Sequence, residues 1–517
     1  MKKNLLLIFV LLFIAIIPSF AEVKAIVSVK PYYTGSNIPN PSFSYDSTKG
    51  RYVWDAKDVT TWNDLNNDWW MTRQDYWQSA YRKYSFLDLG LEASYEGFNL
   101  VTRIDFSQDY LANLLNTASS KTNIPFVGGL IDLTFPRVGF VEYTSENEAL
   151  YLSVGRRLIK WGPGTYDIAI SNNQPYLDNI WAEFTTPISS NWNFTYNWVG
   201  VYPKTWMSYA NSSGKQEVQK AIFGHRWTFG SNYMNISISE LNNVYNKIPT
   251  FFEASPFTIW HDNNQDDYSN VFLHLTIEGK IAGARVWGSF SMDDFELPHE
   301  VGGGKPQANG VSLGFEYHVF DGTEIGQEKF DRQDYTIKEK TFKIENGLNI
   351  GAEWYYTTPL MYNRCESNGQ GAGKFTIPFQ FISLVGANYV FDEDAFFLGF
   401  KYGPNSSLYR LYVEYTNDPI EASFSAEVLT RGRYNINSTY GNRSTLDSMG
   451  LGNAISLLGD KTKALLLEGK VSYYLQDALK ACVGISYQKD FTNDKSAYEL
   501  NVGVSMNPCA VDWENLF

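Results

Sequence analysis

Residues 407–433 read SLYRLYVEYTNDPIEASFSAEVLTRGR, and their alternation decides the fold. Tyr409, Leu411, Val413 and Tyr415 fall on one parity, and Arg410, Tyr412, Glu414 and Thr416 fall on the other. Asn417-Asp418-Pro419 then supplies turn chemistry, since Asn and Asp side chains bond their own backbone and proline presets φ. The chain returns with Ile420, Ala422, Phe424, Ala426 and Val428 set against Glu421, Ser423, Ser425 and Glu427. A period of two is the period of a strand, so this is a hairpin with one wholly apolar face and one charged face.

The same alternation recurs along the chain. Met234, Ile236 and Ile238 alternate with Asn235, Ser237 and Ser239, and Leu273, Leu275 and Ile277 alternate with His274, Thr276 and Glu278 ahead of a Gly279-Lys280 turn. Leu465, Leu467, Val471 and Tyr473 face away from Glu468, Lys470 and Ser472; Tyr498, Leu500, Val502 and Val504 face away from Glu499, Asn501 and Ser505. A soluble sandwich alternates too, so the solvent has to be decided by other features. Aromatic residues make up 16% of the chain and tyrosine occurs 35 times, a load suited to interfacial girdles. A sheet in hydrocarbon finds no partner for an open edge and must close. The expectation is an all-β fold, a single closed antiparallel transmembrane β-barrel of about 16–18 strands with long extracellular loops. Residues 36–56, 300–308, 321–341, 363–373 and 435–459 read as polar loops, and 54–84 read either as a short helix plugging the lumen or as an irregular crossing.

The first 21 residues have the form of a secretory signal peptide. Lys2-Lys3 precede an apolar run over 5–17, and Ser19-Phe20-Ala21 offers small residues for cleavage before Glu22. Residues 22–517 then form the barrel, exported to the outer membrane with its lipid as partner. A formal charge of −14 argues against a nucleic-acid partner. Three cysteines, Cys365, Cys482 and Cys509, allow one bridge at most and exclude a disulfide scaffold.

The densest turn chemistry lies in 159–176, IKWGPGTYDIAISNNQPY. In the strand before it, parity sends Arg157 into the lumen and leaves Arg156 on the apolar face, so Arg156 belongs at a rim or beyond a bulge; a lipid-buried Arg costs about 2–4 kcal/mol at mid-depth. With Gly155, Arg156, Trp161-Gly162-Pro163-Gly164, Ser171-Asn172-Asn173 and Pro175 in this order, the sequence resembles the Wzi-type capsule-assembly outer-membrane barrels. The resemblance extends to GHRWTF (224–229), MDDFELP (292–298) and LGFKYGPNSSLY (398–409), and covers roughly 149–433. It implies an 18-stranded barrel acting as a surface lectin, with surface or capsular polysaccharide as partner. The family's periplasmic helical opening is absent here, because the mature chain starts with strand-like residues 23–33.

The candidate polysaccharide-binding or lumen-lining residues are Arg156, Arg157, Trp161, Gly162, Pro163, Gly164, Ser171, Asn172, Asn173, Arg410 and Glu414. Each has a plainer reading. Trp161-Gly162-Pro163-Gly164 also suits a turn that ends a strand, Asn172 and Asn173 suit Asx-type turns, and the charged residues suit a ladder that solvates a barrel interior. Catalysis finds little support: His225, His261, His274, His299 and His318 form no metal-spaced pair, there is no Gly-x-Ser-x-Gly elbow, and the acidic run 261–267 lacks calcium-loop spacing. The sequence therefore points to a non-catalytic barrel without metal or cofactor, acting singly and retaining polysaccharide. A porin for passive solute diffusion is the alternative, and a barrel hydrolase is a distant third.

Overall fold

The computed structural model describes residues 22–37, 43–46, 51–54, 86–108, 121–122, 131–132, 138–171, 176–203, 207–211, 214–218, 220–245, 247–261, 268–293, 308–320, 347–363, 373–382, 388–434, 436 and 455–508. The chain forms one closed antiparallel barrel of 18 strands. Strand β1 is Glu22–Val29, carried on past Lys30-Pro31 by Tyr32–Ser36. It is followed by β2 (Leu87–Tyr95), β3 (Phe98–Gln108), β4 (Val138–Thr144), β5 (Leu150–Arg157), β6 (Leu177–Pro187), β7 (Asn193–Tyr202), β8 (Lys220–Gly230) and β9 (Met234–Tyr245). The second half is β10 (Ser269–Ile281), β11 (Ala284–Asp293), β12 (Asn309–Phe320), β13 (Gly347–Thr357), β14 (Ser406–Asn417), β15 (Ile420–Gly432), β16 (Lys461–Gln476), β17 (Leu479–Asp490) and β18 (Lys495–Met506).

Each strand pairs with its neighbours in the chain, and the ends meet. β1 pairs with β2 over Glu22↔Ser94 to Val29↔Leu87, while its second part pairs with β18 through Tyr32↔Gly503 and Ser36↔Glu499. No edge strand remains in the ring, which is what hydrocarbon requires of a sheet. Among the described residues the last strand ends at Met506, before Pro508, a residue that cannot donate to a ladder.

The polarity is inverted relative to a soluble barrel. In β14, Leu411 is 62% exposed and its neighbour Tyr412 only 6%. The same outward apolar parity exposes Val154, Ile238, Leu313, Phe424, Ile485 and Val502 on strands around the ring. In water such a band would far exceed the few hundred Å² of contiguous apolar surface a soluble monomer tolerates. Facing lipid, it is the favourable arrangement.

The two rims differ. One carries tight connections such as Glu96-Gly97, 188–192, 231–233, Ala282-Gly283, Asp418-Pro419 and Asp477-Ala478. Apart from 321–346, which lies outside the described residues, the long connections leave from the opposite rim. Short turns are periplasmic and long loops extracellular in barrels of this kind. Two expectations need adjustment. The turn anticipated at Gly279-Lys280 sits at Ala282-Gly283, because Gly279 and Lys280 still pair with Val286 and Arg285 while Ala282 (φ 46°) and Gly283 (φ 81°) take the left-handed conformation of a hairpin turn. Residues 36–56, anticipated as loop, contain a short hairpin of Phe43–Asp46 with Arg51–Trp54. The segment 57–84 and the leader 1–21 lie outside the described residues.

Candidate functional site

The segment after β5 does not cross the rim to β6 directly. Although Arg157 pairs with Leu177, residues 159–171 turn inward and run across the lumen. Ile159, Trp161, Ile168, Ala169 and Ile170 are all almost fully buried there, with Val199, Ile222, Leu241, Leu408 and Leu429 of the inner wall. The composition explains the direction: an apolar segment that cannot face water at an extracellular rim buries itself against the matching patch on the upper inner wall.

Its turn is closed by local bonds. Asp167 accepts from the backbone N–H groups of Ala169 (2.7 Å) and Ile170 (3.2 Å), and Trp161 N–H donates to Ile170 O (2.9 Å). Gly162 has φ 84°, and a Cβ there would lie 1.9 Å from Asp167 Oδ2, so only glycine fits. Across the lumen, Trp161 Nε1 donates to Asn197 Oδ1 of β7 (3.2 Å), with its ring set where a Cβ on Gly224 of β8 would come within 2.7 Å. Thr165 N–H donates to Glu353 Oε1 of β13 (2.7 Å), and the Tyr166 hydroxyl donates to Glu427 Oε1 of β15 (2.8 Å). Burial raises the Tyr166 phenol well above its ordinary range, with the Glu427 carboxylate adding to the effect, so it remains a neutral donor.

A second inward segment, from the connection between β13 and β14, meets the first. A run of backbone bonds links them: Ser171 N–H to Leu398 O (2.8 Å), Leu398 N–H to Phe375 O (3.0 Å) and Phe375 N–H to Tyr362 O (3.0 Å). The Tyr362 hydroxyl joins both, donating to Ile168 O (2.6 Å) and accepting from Phe400 N–H (2.8 Å). The Y362F variant leaves that buried carbonyl and N–H without their partner, at about 1–3 kcal/mol each. It is expected to lower the denaturant midpoint and increase current noise through the barrel; noise equal to that of the parent would show that the hydroxyl does not hold the segments together.

The anticipated residues fall in distinct places. Arg157 points inward, where its Nη1 donates to the Tyr151 hydroxyl, lies 3.5 Å from Glu142 Oε2 and sits over the rings of Phe140, Tyr151 and Trp181 at 5.5–5.7 Å. Arg156 stays on the outer parity and forms a two-pronged ion pair with Asp178 across the strand, at 2.7 and 2.8 Å. Trp161, Gly162, Pro163, Gly164 and Ser171 belong to the inward segment, while Asn172 and Asn173 lie outside the described residues. Arg410 faces the lumen over the Tyr412 ring (4.8 Å), between Glu427 (3.5 Å) and Glu353 (3.8 Å). Glu414 lies on the same face nearer the short-turn rim and is exposed. Tyr362, Tyr355 and Glu353 were not singled out by the sequence, and of the second inward segment it singled out only 398–409, as part of the family resemblance.

The inner wall changes character along the barrel axis. On the long-loop half it is covered, with an apolar patch at Leu408, Leu429, Ala464 and Leu466. On the short-turn half of the same strands, Glu414, Ser423, Glu468 and Lys470 are exposed to the interior. A charged inner wall under an apolar constriction can admit water and small polar solutes, and its fixed charges bias which ions enter.

Comparisons with known proteins add the following. No family model matches the chain, and no curated protein matches it. Similar solved structures from Pseudomonas aeruginosa include OccK3 (OpdO), at 8% identity over 94% of this chain and 96% of that one with a TM-score of 0.41. The outer membrane protein opdK (8% identity, 94% and 99% coverage, TM-score 0.40) and OccD3 (OpdP) (11% identity, 94% and 91% coverage, TM-score 0.39) are similar to the same degree. None of these is a Wzi-type capsule-assembly protein and no family model supports that membership, so the expected Wzi-type membership is corrected, and the lectin role implied by it loses its support. The physical reason is that Trp161-Gly162-Pro163-Gly164 and its neighbours are shaped by an inward fold that any obstructed barrel can need, and turn motifs of this kind identify no family. The chain is a membrane-spanning β-barrel whose lumen is narrowed by its own polypeptide.

Proposed function

We propose that the chain is an outer-membrane porin, passing small hydrophilic solutes without chemistry through a lumen constricted by residues 159–171. The observation that carries this reading is the exposed charged wall of Glu414, Glu468 and Lys470 inside a ring whose outside is apolar. Such a wall has no use in a sealed core and is what an aqueous path requires. The leader over 1–21 is read as a cleaved signal peptide that delivers the barrel to the outer membrane, and the mass of the purified mature protein, starting at Glu22, checks it.

Purified protein added to a planar lipid bilayer is expected to give discrete conductance steps. Silent membranes, with correctly folded protein recovered from them, would remove the porin reading. In the double variant E414K/E468K the cation-to-anion permeability ratio is expected to fall several-fold, seen as a shifted reversal potential in a salt gradient. An unshifted potential would mean that the path does not run past these side chains.

A further inference from the structure

His225 and Glu240 pair across β8 and β9 on the outward parity, the parity on which Ile238 and Phe229 face lipid. Their side chains are nevertheless 0% and 4% exposed, with His225 Nε2 2.9 Å from Glu240 Oε2. At about 3.3 Å per residue and a tilt of about 40°, the six residues from Met234 to Glu240 climb about 15 Å from the short-turn rim, inside a hydrocarbon band of about 25 Å. An ionisable pair at that depth has to be covered.

The cover is the connection 247–261, which folds over the outside of the wall. Trp260 lies flat on the His225 imidazole, with ring centroids 4.3 Å apart and planes 5° apart, and its backbone N–H donates to Glu240 Oε2 (3.0 Å). Ala221, Phe223 and Val244 of the wall are buried with Trp260, and the Tyr196 hydroxyl donates to Pro256 O. Several of the strap's polar groups are paired within it. Its short helix α1 (Phe251–Ala254) carries a reciprocal capping box between Thr250 and Glu253, and Glu253 also takes the Lys247 ammonium at 2.5 Å. The outer surface of this strap is apolar: Phe251 is 87% and Phe257 89% exposed, with Ile248 and Ile259 beside them.

We propose that the strap 247–261 is a lipid-inserted element whose outer face is occupied by acyl chains of the outer leaflet, and which seals His225 and Glu240 from them. Continuity selects lipid as the occupant. The exposed strap residues carry on the lipid-facing band of Ile238, Leu275 and Ile277 below them, and the Lys247–Glu253 ion pair of the strap is neutral in sum. The inference rests on the membrane-spanning fold and is independent of what passes through the lumen.

The test places a single cysteine at Phe257 (F257C) or Phe251 (F251C) in the full chain with Cys365, Cys482 and Cys509 replaced by serine. The thiol is labelled with an environment-sensitive fluorophore, and the protein is reconstituted in vesicles of phosphatidylcholine with or without brominated acyl chains. L411C serves as the lipid-facing control and N493C as the aqueous one, and heat-modifiable migration confirms folding of each. Labels at 257 and 251 are expected to be quenched several-fold more by brominated lipid than by aqueous iodide, as at 411. Iodide quenching like that at 493 would overturn the proposal. Shielding from both quenchers with cross-linking between copies would also overturn it, assigning the face to a second copy of the chain.

Discussion

Replacing residues 160–170 with a short glycine-serine linker is expected to raise single-channel conductance several-fold while the barrel stays closed. The wall does not depend on this segment for its ladders: Arg157 already pairs with Leu177, so a few residues suffice to join β5 to β6. What the deletion removes is the body of the constriction, namely Trp161, Tyr166 and Ile168 with their bonds to Asn197, Glu427 and Tyr362. Uncovering Leu408, Leu429 and Val199 costs stability, on the order of a few kcal/mol for lost apolar contacts, and unfolding curves should register it. Conductance unchanged from the parent would mean that 159–171 is not the narrowest part of the path, leaving that role to the second inward segment.

The same substitution on opposite faces of one hairpin is expected to give opposite outcomes. L411R places a guanidinium on the 62% exposed outer face of β14 near mid-strand, where lipid makes it cost about 2–4 kcal/mol. S423R places it inside, on β15, at an exposed position opposite Glu414 in the ladder, where water and a carboxylate receive it at little cost. Equilibrium unfolding in lipid vesicles should show the first variant strongly destabilised and the second close to the parent. Equal loss in both would contradict the assignment of faces on which the transmembrane reading stands.

The path from sequence to site is uneven, and particular residues show where. The parity of Tyr409, Leu411 and Val413 against Arg410 and Glu414 was readable because a strand's period of two is local and needs no knowledge of partners. The same parity leaves Arg156 on the outer face, at a rim or beyond a bulge, and in the structure it pairs with Asp178 near the end of its strand. The 159–171 stretch was recognised as unusual, yet its turn residues fit a strand end as well as an inward fold. Choosing between them depends on an apolar patch formed by Val199, Ile222, Leu241, Leu408 and Leu429 on five separate strands, which no local pattern announces. The family resemblance failed for a related reason: short Gly-Pro-Asn motifs record turn geometry, which is common to many loops. His225 and Glu240 break the outward apolar parity of their strands, but only the strap shows why the break is tolerated.

The amino-acid sequence alone determined that this chain is a closed sheet with lipid outside and charge inside, because alternating polarity and the need to pair every backbone group in hydrocarbon are properties of single strands and of the solvent. The tertiary structure alone decided how the interior is used: which connection folds in, which folds out over the wall, and where the inner surface stays open. Those choices turn on contacts between residues far apart in the chain, such as Tyr166 with Glu427 and Trp260 with His225, whose free energy exists only once the ring has closed around them.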